Sequence, residues 1–402
     1  MLHEVSSLVD PLNRLYARIP LGMRLGLDTM RRACARMDHP ESAFPAVHVA
    51  GTNGKGSVCA MVESIARAHG CKTGLYTSPH LGRFAERIRI DGEPIEDETL
   101  AALLDHVLRT DPELSFFEAA TLTAFLAFRD AQVDLGIVEV GLGGRFDATN
   151  VIPAPRVAAI TRIALDHTDR LGPTLLHIAR EKAGIAKPGL EIVLGTMPPE
   201  VRAAIDEVAH ASGASTTMVD EVQMPEAVGL PGEHQKDNAR VASLLGLRIG
   251  ASPQAVHDGL ARAHWPGRLE SIGRFLLDAA HNPDGADALA RHIRSLGLTP
   301  DRVALMFGTL ADKDWASMLD VLAPLARARV YVALPGAARG AADVVAMRAR
   351  HPGSLARSTE EALSHFSGVP GASLIVIAGS VVLVGEARGL LLGLPRDPPV
   401  AL

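Results

Sequence analysis

A short glycine-rich segment contains the residues best suited to chemistry. Residues 51–57 follow a buried-looking apolar stretch and precede apolar residues at helical spacing. Small residues let backbone N–H groups point inward, a helix start adds partial positive charge, and a lysine adds a full charge. The segment therefore predicts a phosphate-binding loop, although it departs from the GxxxxGK[ST] pattern and a tight turn with an exposed lysine is the alternative. The loop residues are Gly51, Thr52, Asn53, Gly54, Lys55, Gly56 and Ser57.

Two acidic residues each end an apolar stretch that reads as a strand. Glu139 follows LGIV, and Asp278 follows RFLL. A carboxylate at the position of Glu139 faces the crevice where open α/β sheets bind ligands, and Mg²⁺ prefers oxygen ligands; the alternative is an arginine partner. Asp278 could bind a ribose hydroxyl or cap the next helix, and the pattern alone favours the cap.

Other polar residues have ordinary interpretations when taken alone. Lys182 belongs to a charged run that is typical of a solvated helix face, and His167 follows a predicted strand as turn residues often do. Ser380 precedes an apolar helix, as an N-cap would. We find no convincing Cys/His or Ser/His/Asp arrangement, so the sequence predicts no protein nucleophile.

Short apolar strands alternate with helical patterns, which predicts mostly parallel sheets wrapped by helices. Pro266 and Gly267 lie between two such series, so we predict domains at 1–264 and 265–402. Segments 195–231 and 334–358 are rich in Pro, Gly and Ala, and we expect loops or short helices there. The predicted strands are residues 47–50, 135–140, 157–161, 191–194, 274–278, 303–307, 330–333 and 374–378.

Composition limits the partners and the compartment. The chain has 402 residues, enough for two or three domains, and a net charge of -6 that argues against nucleic acid as a partner. Its longest apolar run, 374–385, is too short to cross a bilayer. Polar residues near the start, including His3 and Glu4, argue against a secretory signal. Three cysteines without metal-ligand spacing predict a reducing cytoplasm.

The string HVAGTNGKGSV (48–58) is similar to the ATP loop of the Mur ligase superfamily, and of its folate branch in particular. Eight later segments agree in order, so the resemblance runs from about residue 10 to 390. They are YTSPHL (76–81), EVGLGGRFDATNV (139–151), DHTDRLGPT (166–174), EKAGI (181–185), HQKDNA (234–239), PGRLE (266–270), DAAHNP (278–283) and AGS (378–380).

The resemblance implies an α/β, Mur-ligase-like fold: a P-loop ATPase N-terminal domain that binds ATP and pterin, and a smaller Rossmann-like C-terminal glutamate ligase domain. It implies an ATP-dependent ligase that joins L-glutamate to dihydropteroate or to folylpolyglutamate through an acyl phosphate, releasing ADP and phosphate. The alternatives are another Mur-type ligase, acting on a cell-wall nucleotide precursor, and a nucleotide-binding switch without catalysis. The expected partners are dihydropteroate, reduced folates and L-glutamate, with no nucleic acid or membrane and a monomeric chain.

The resemblance also implies roles for individual residues. The loop contacts ATP, two Mg²⁺ ions bind, and Lys182 is N-carbamylated so that it helps position the metal. The DATN sequence indicates both activities in one chain, with Asp147 on the pterin ring; the alternative for Asp147 is an Asx-type turn. Further implied ATP contacts are Asn238, Arg268 and Asp278. The implied metal ligands are Ser78, Glu139 and His167. The implied catalytic residues are Lys55, Lys182 and His281, and the implied glutamate contacts are His281 and Ser380.

Overall fold

The structure is a computed structural model that describes residues 6–19, 26–219, 223, 225, 227–334, 340–367 and 372–397. His3 and Glu4 lie outside these residues. The chain forms two compact units. The first consists of Met1–Ser78, Ala85–Gly229 and Lys236–His264, and the second of Pro79–Phe84, Leu230–Gln235 and Trp265–Leu402.

The first unit is built around a sheet in which eight strands are described. Their order is β4-β3-β2-β5-β1-β6-β7-β8, and all neighbours from β2 to β8 are parallel, whereas β3 and β4 are antiparallel additions at one edge. Strand β1 is central and wholly buried, which accounts for its nearly continuous apolar sequence. The strands are β1 (Ala46–Ala50), β2 (Thr73–Tyr76), β3 (Ile88–Ile90), β4 (Glu93–Pro94), β5 (Leu135–Glu139), β6 (Val157–Ile160), β7 (Glu191–Leu194) and β8 (Ser215–Met218).

Helices surround this sheet. One core lies where β6 and β7 meet α7 and α8 and contains Ile160, Ile178 and Ile205. Helix α9 begins in residues of the second unit and continues in the first. The helices are α1 (Ser6–Tyr16), α2 (Asp28–Arg36), α3 (Lys55–Ala68), α4 (Asp97–Thr110), α5 (Phe116–Asp130), α6 (Thr168–Leu171), α7 (Leu175–Ala183), α8 (Pro199–Ala211), α9 (Glu233–Arg248) and α10 (Pro253–Arg262).

The second unit contains a sheet in which six strands are described, in the order β13-β12-β11-β14-β10-β9. Only β9 is antiparallel to its neighbour. Apolar clusters cover both faces of this sheet, one around Leu319 and the other around Leu383. The strands are β9 (Glu270–Ile272), β10 (Phe275–Asp278), β11 (Val303–Phe307), β12 (Ala328–Val332), β13 (Ser354–Ala356) and β14 (Leu374–Ala378). The helices are α11 (Pro283–Ser295), α12 (Trp315–Leu322), α13 (Val344–Arg350), α14 (Thr359–Ser367) and α15 (Val381–Leu392).

All eight predicted strands are confirmed within one or two residues, but the two segments expected to be loops or short helices contain more structure. Segment 195–231 contains the 13-residue helix α8 and strand β8, and segment 334–358 contains α13 and β13. Helix α8 forms because Pro199 occupies its first turn, and Val201, Ala204 and Ile205 bury one face. No helix among the described residues has the length and apolar character needed to span a membrane.

Candidate active site

The glycine-rich loop joins β1 to α3, which begins at Lys55. Gly51 and Gly54 both have positive φ, 146° and 91°. A Cβ atom on Gly51 would lie 1.8 Å from Oγ1 of Thr161, so only glycine fits there. The same Thr161 hydroxyl donates a 2.7 Å hydrogen bond to the carbonyl of Asn53. The loop is therefore fixed against the residue that follows β6.

Lys55 and Glu139 lie together beside this loop. Glu139 ends β5, directly opposite Val49 of β1, and is 5% exposed. Nζ of Lys55 lies 3.9 Å from Oε1 of Glu139 and donates to the carbonyl of Thr52 at 3.2 Å. Only 16% of the Lys55 side chain is exposed, so the alternative of an exposed turn lysine is wrong. The backbone N–H of Ser78, just beyond β2, donates to Oε2 of Glu139 at 3.1 Å.

Lys182 lies on the buried face of α7 and is 4% exposed. Its Nζ donates a 2.8 Å hydrogen bond to the carbonyl of Gly51. Burial and the neighbouring charge of Lys55 lower the pKa of Lys182 to about 7, although Asp166 and Asp147 oppose the shift. The alternative of a solvated charge run is wrong for this residue. The side chain reaches the phosphate loop instead.

His167 is the N-cap residue of α6 and has a positive φ of 51°. Its N–H donates to Oδ1 of Asp166 at 2.9 Å, so the residue also has the features of a turn. Of the three predicted metal ligands, the structure brings Ser78 and Glu139 into direct contact. Among the described residues, no three His, Cys, Asp or Glu side chains form a ready cluster for a metal ion.

Asp147 is 3% exposed, and both of its carboxylate oxygens accept hydrogen bonds from its own loop. Oδ1 accepts from N–H and Oγ1 of Thr149 at 3.1 and 2.6 Å, and Oδ2 accepts from N–H of Leu142 at 2.8 Å. Burial raises the pKa of Asp147, and these donors partly offset that rise. The structure has the turn that was the alternative for Asp147. The carboxylate holds the loop in shape.

The Asp147 loop also packs against the end of α7. A Cβ atom on Gly144 would lie 2.7 Å from the carbonyl oxygen of Lys182. The side-chain amide of Asn150 donates to the carbonyl of Gly184 at 3.0 Å, and Lys187 donates to the same side chain at 2.5 Å. Two sequence motifs that are 30 residues apart are therefore parts of one structural unit.

Asn238 of α9 lies against the phosphate loop and is 8% exposed. A Cβ atom on Gly54 would come within 2.3 Å of its Oδ1. This places an amide side chain at the start of α3, next to the left-handed glycine.

In the second unit, the Asp278 carboxylate accepts hydrogen bonds from the backbone N–H groups of Leu269 and Ala280, each 2.9 Å long. The helix cap expected of Asp278 is wrong, because Asn282 caps α11 by accepting from Gly285. Ser380 does cap α15, accepting from Val382 at 3.1 Å.

His281 and Arg268 are both half-buried residues of the second unit. A 2.9 Å hydrogen bond joins Nδ1 of His281 to the carbonyl of Ala279. Because a carbonyl only accepts, Nδ1 carries the proton, and Nε2 is the basic nitrogen of the neutral ring.

Sequence reasoning missed three residues near the site. Thr161 secures the phosphate loop, Asp166 lies within electrostatic range of Lys182, and His48 is buried in β1 with Nε2 2.8 Å from Oγ1 of Thr149. Thr161 and His48 stand in predicted strands, where their polar character among apolar residues was the available signal, whereas Asp166 lies beyond the strand predicted at 157–161.

The central parallel strand, the glycine loop and the helix that starts at its lysine define an α/β protein of the P-loop class. Residues 49–246 match the Mur ligase middle domain, and residues 267–381 match the Mur ligase glutamate ligase domain. The dihydrofolate synthase/folylpolyglutamate synthase of Mycobacterium tuberculosis is 37% identical, covering 98% of this chain and 95% of its own. The folylpolyglutamate synthase of Lacticaseibacillus casei is 35% identical, covering 89% and 92%.

Solved structures of such enzymes are also similar to this chain over most of its length. Folylpolyglutamate synthase of M. tuberculosis complexed with ADP and AMPPCP superposes with a TM-score of 0.87 at 33% identity, covering 98% of this chain and all of that one. FolC of Escherichia coli with DHPP and ADP gives 0.84 at 31% identity, covering 92% and 94%. The Yersinia pestis enzyme with AMPPNP and a Mn ion gives 0.82 at 32%, covering 92% and 94%. The chain belongs to the folylpolyglutamate synthase/dihydrofolate synthase branch of the Mur ligases.

Proposed function

We propose that this chain is an ATP-dependent ligase that joins L-glutamate to dihydropteroate and to folylpolyglutamate, releasing ADP and phosphate. The observation that carries the proposal is the group of Lys55, Lys182 and Glu139 beside one glycine-rich loop. Two lysines and a buried carboxylate suit a site that holds phosphate and a divalent cation. The ligand-bound relatives, which contain ADP, AMPPCP or AMPPNP, support the same nucleotide.

ATP is assigned first to residues 51–57. Their backbone N–H groups and the start of α3 attract the phosphates, and Lys55 offsets charge on the phosphoryl group as it moves. Asn238, which touches the loop at Gly54, is assigned to the nucleotide. From the second unit we assign Arg268 and Asp278, since a guanidinium binds phosphate oxygens in two-pronged fashion.

Magnesium is assigned to Ser78, Glu139 and His167. The buried oxygens of Glu139 and the adjacent serine fit a hard cation, whereas the histidine rests on the family resemblance. When bound, two Mg²⁺ ions would neutralise charge on the phosphates. The Mn ion in the Y. pestis relative supports a divalent metal.

Lys182 is proposed to be N-carbamylated. An uncharged amine attacks CO₂, forms an N–C bond and loses a proton, which converts a cation into an anion. The lowered pKa of Lys182 supplies that uncharged amine near neutral pH. The resulting carboxylate would help orient the metal, where an ammonium group would repel it.

The reaction then needs no protein nucleophile. A carboxylate of the pterin substrate attacks the γ-phosphorus of ATP, the bond to ADP breaks, and an acyl phosphate forms. The amine of glutamate attacks the acyl carbon, and the tetrahedral intermediate expels phosphate. His281 and Ser380 are assigned to the incoming glutamate, and Nε2 of His281, the basic nitrogen of its neutral ring, would accept the amine proton.

Residues 141–150 are proposed as the pterin-binding loop. Asp147 accepts hydrogen bonds within this loop, so we propose that it acts on the pterin by holding the loop in shape. The DHPP bound to the E. coli relative supports a pteroate substrate. We further propose a cytoplasmic location, because the three cysteines lack metal-ligand spacing, and a monomeric chain, as the family resemblance implies.

Product analysis tests this function. Purified chain is incubated with ATP, Mg²⁺ and glutamate, and with either dihydropteroate or tetrahydrofolate, and the products are identified by mass spectrometry. We expect one glutamate added to dihydropteroate and further glutamates added to the reduced folate. Turnover of tetrahydrofolate alone would contradict the dual activity. ADP release that does not depend on glutamate would instead support a nucleotide-binding switch, and a cell-wall nucleotide precursor as substrate would support another Mur-type ligase.

A further inference from the structure

His48 forms the start of a buried hydrogen-bond chain. It lies in the central strand β1, and its Nε2 is 2.8 Å from Oγ1 of Thr149. The Thr149 hydroxyl in turn lies 2.6 Å from Oδ1 of Asp147. His48 and Thr149 are fully buried, and Asp147 is nearly so. The chain therefore joins the middle of β1 to the pterin-binding loop.

Every hydrogen bond of this series is donated in the same direction, from His48 through Thr149 to Asp147. The single Thr149 proton goes to the carboxylate of Asp147, so the hydroxyl oxygen accepts from Nε2–H of His48. Nδ1 of His48 has no hydrogen-bond partner among the described residues, as suits a nitrogen that carries no proton. Burial, together with the charge of Lys187, lowers the pKa of His48 to about 3, so the ring is neutral at any ordinary assay pH.

We propose that His48 is a positioning residue for the pterin substrate. This proposal rests on the proposed function. Strand β1 then has two roles: its carboxyl end leads into the phosphate loop at Gly51, and His48, three residues before Gly51, fixes the Asp147 carboxylate through Thr149. The two loops are thereby held at a set separation, and the separation governs how the substrate carboxylate meets the γ-phosphate.

The hydrogen bonds of Asp147 explain how the His48–Thr149–Asp147 series acts on the shape of the 141–150 loop. The carboxylate connects Leu142, near the start of the loop, to Thr149, near its end. Rotation of the carboxylate would break one of these connections. The hydroxyl bond from Thr149, polarised by His48, opposes that rotation and keeps both ends of the loop in place.

Paired substitutions test the proposal. Thr149→Val removes the hydroxyl, and Thr149→Ser keeps it; His48→Leu removes the donor, and His48→Gln keeps an N–H near the same position. Thr123→Val is the matched control, because Thr123 is a fully buried threonine that bonds only within α5. For each variant, KM is measured for dihydropteroate, ATP and glutamate, and dihydropteroate binding is measured by calorimetry.

We expect Thr149→Val and His48→Leu to weaken dihydropteroate binding and raise its KM about tenfold. KM for ATP and glutamate should stay within about twofold, and the serine and glutamine variants should recover most of the loss. Folded Thr149→Val with normal dihydropteroate binding would overturn the proposal, as would an equal rise in all three KM values. If His48→Leu does not fold, the two Thr149 variants decide. If the wild-type protein binds dihydropteroate but adds no glutamate, only the proposed function is contradicted. The binding measurements would still test the role of His48 and Thr149.

Discussion

Lys55 and Lys182 lie beside the same short loop but differ in environment. The Lys55 side chain is 16% exposed and its Nζ lies near Glu139, whereas Lys182 is buried against the carbonyl of Gly51. A fixed cation suits phosphate binding, and a lysine with a lowered pKa suits covalent modification. The environment of each side chain, more than its type, separates the two proposed roles.

Carbamylation of Lys182 should increase with pH between about 6 and 8 at a fixed concentration of dissolved CO₂. With a pKa of about 7, about a tenth of the amine is neutral at pH 6 and about nine tenths at pH 8. Acid protonates the amine, so the modification and the activity should both be lost as pH falls. Carbon-13 NMR with labelled bicarbonate measures the carbamate directly.

Lys187→Met is the matched control for this experiment, because burial also lowers the pKa of Lys187, to about 8. Its carbamate signal should match that of wild type, whereas Lys182→Met should lose the signal together with activity. A signal that persists in Lys182→Met would assign the modification to another lysine.

Lys55→Met should reduce glutamate-dependent ADP formation at least about a hundredfold, since it removes a charge that acts on the transferred phosphoryl group. The melting temperature should fall by less than about 5 °C, because methionine retains the packing of the stem while the ion pair at 3.9 Å is lost. Steady-state kinetics and thermal denaturation measure the two effects. The exposed Lys72→Met is the control, and near-normal turnover of Lys55→Met would refute the role in phosphate binding.

At the scale of elements, the sequence predicted eight of the strands, because each is a short apolar run with a clear end. It did not predict β2 or β8, which have four residues each and contain glycine, threonine or serine. It also did not predict β3, β4, β9 or β13, which have two or three residues each and lack a full period of alternation. Helix α8 was missed because Pro and Gly in segment 195–231 outweighed the buried periodicity of its alanine and valine residues. The Pro and Gly content of the whole segment therefore concealed the periodic apolar residues of this one helix.

Some features of the candidate site could likewise be predicted from the sequence, and others could not. The phosphate loop was predictable since its residues are consecutive and the flanking strand and helix can be read locally. The burial of Lys182 was not predictable from its charged neighbours, because it depends on packing against a loop 131 positions earlier in the chain. The capping of α11 was assigned to the wrong residue for a similar reason: Asp278 bonds back to Leu269 across a turn, which leaves the cap to Asn282.

Close packing of the 141–150 loop on α7 predicts a strong effect of Gly144→Ala. The added methyl would lie 2.7 Å from the carbonyl oxygen of Lys182, so the loop must move away from the helix. We expect the free energy of unfolding to fall by about 1–3 kcal/mol, with a loss of turnover on dihydropteroate. Urea denaturation and kinetic assays measure both effects.

Gly195→Ala is the control, because a Cβ atom there makes only ordinary contacts of 3.5 Å. Its unfolding free energy should stay within about 0.5 kcal/mol of wild type. Equal stability of the two variants would mean that the 141–150 loop tolerates displacement from α7.

At the scale of the whole molecule, each unit has apolar clusters of its own. Leu194 belongs to a cluster of the first unit and Leu319 to one of the second, and both are fully buried. Leu194→Ala and Leu319→Ala should each lower the stability of their own unit by about 2–5 kcal/mol. Differential scanning calorimetry should show a different transition shifted in each variant. One transition that moves equally in both variants would contradict separate cores.

Residues 79–84 belong to the second unit although almost all of that unit lies beyond residue 264. The backbone of Leu81 touches Gly385 so closely that a Cβ atom there would lie 2.0 Å from its carbonyl oxygen. Asp397 holds the same segment by accepting from Phe84 at 2.6 Å and donating to Gly82 at 3.0 Å. Residues 265–402, about a third of the chain, therefore do not make up the second unit by themselves. A fragment that starts at residue 265 would lack residues 79–84 and 230–235 of its own unit, and fragment complementation would have to supply both segments as peptides.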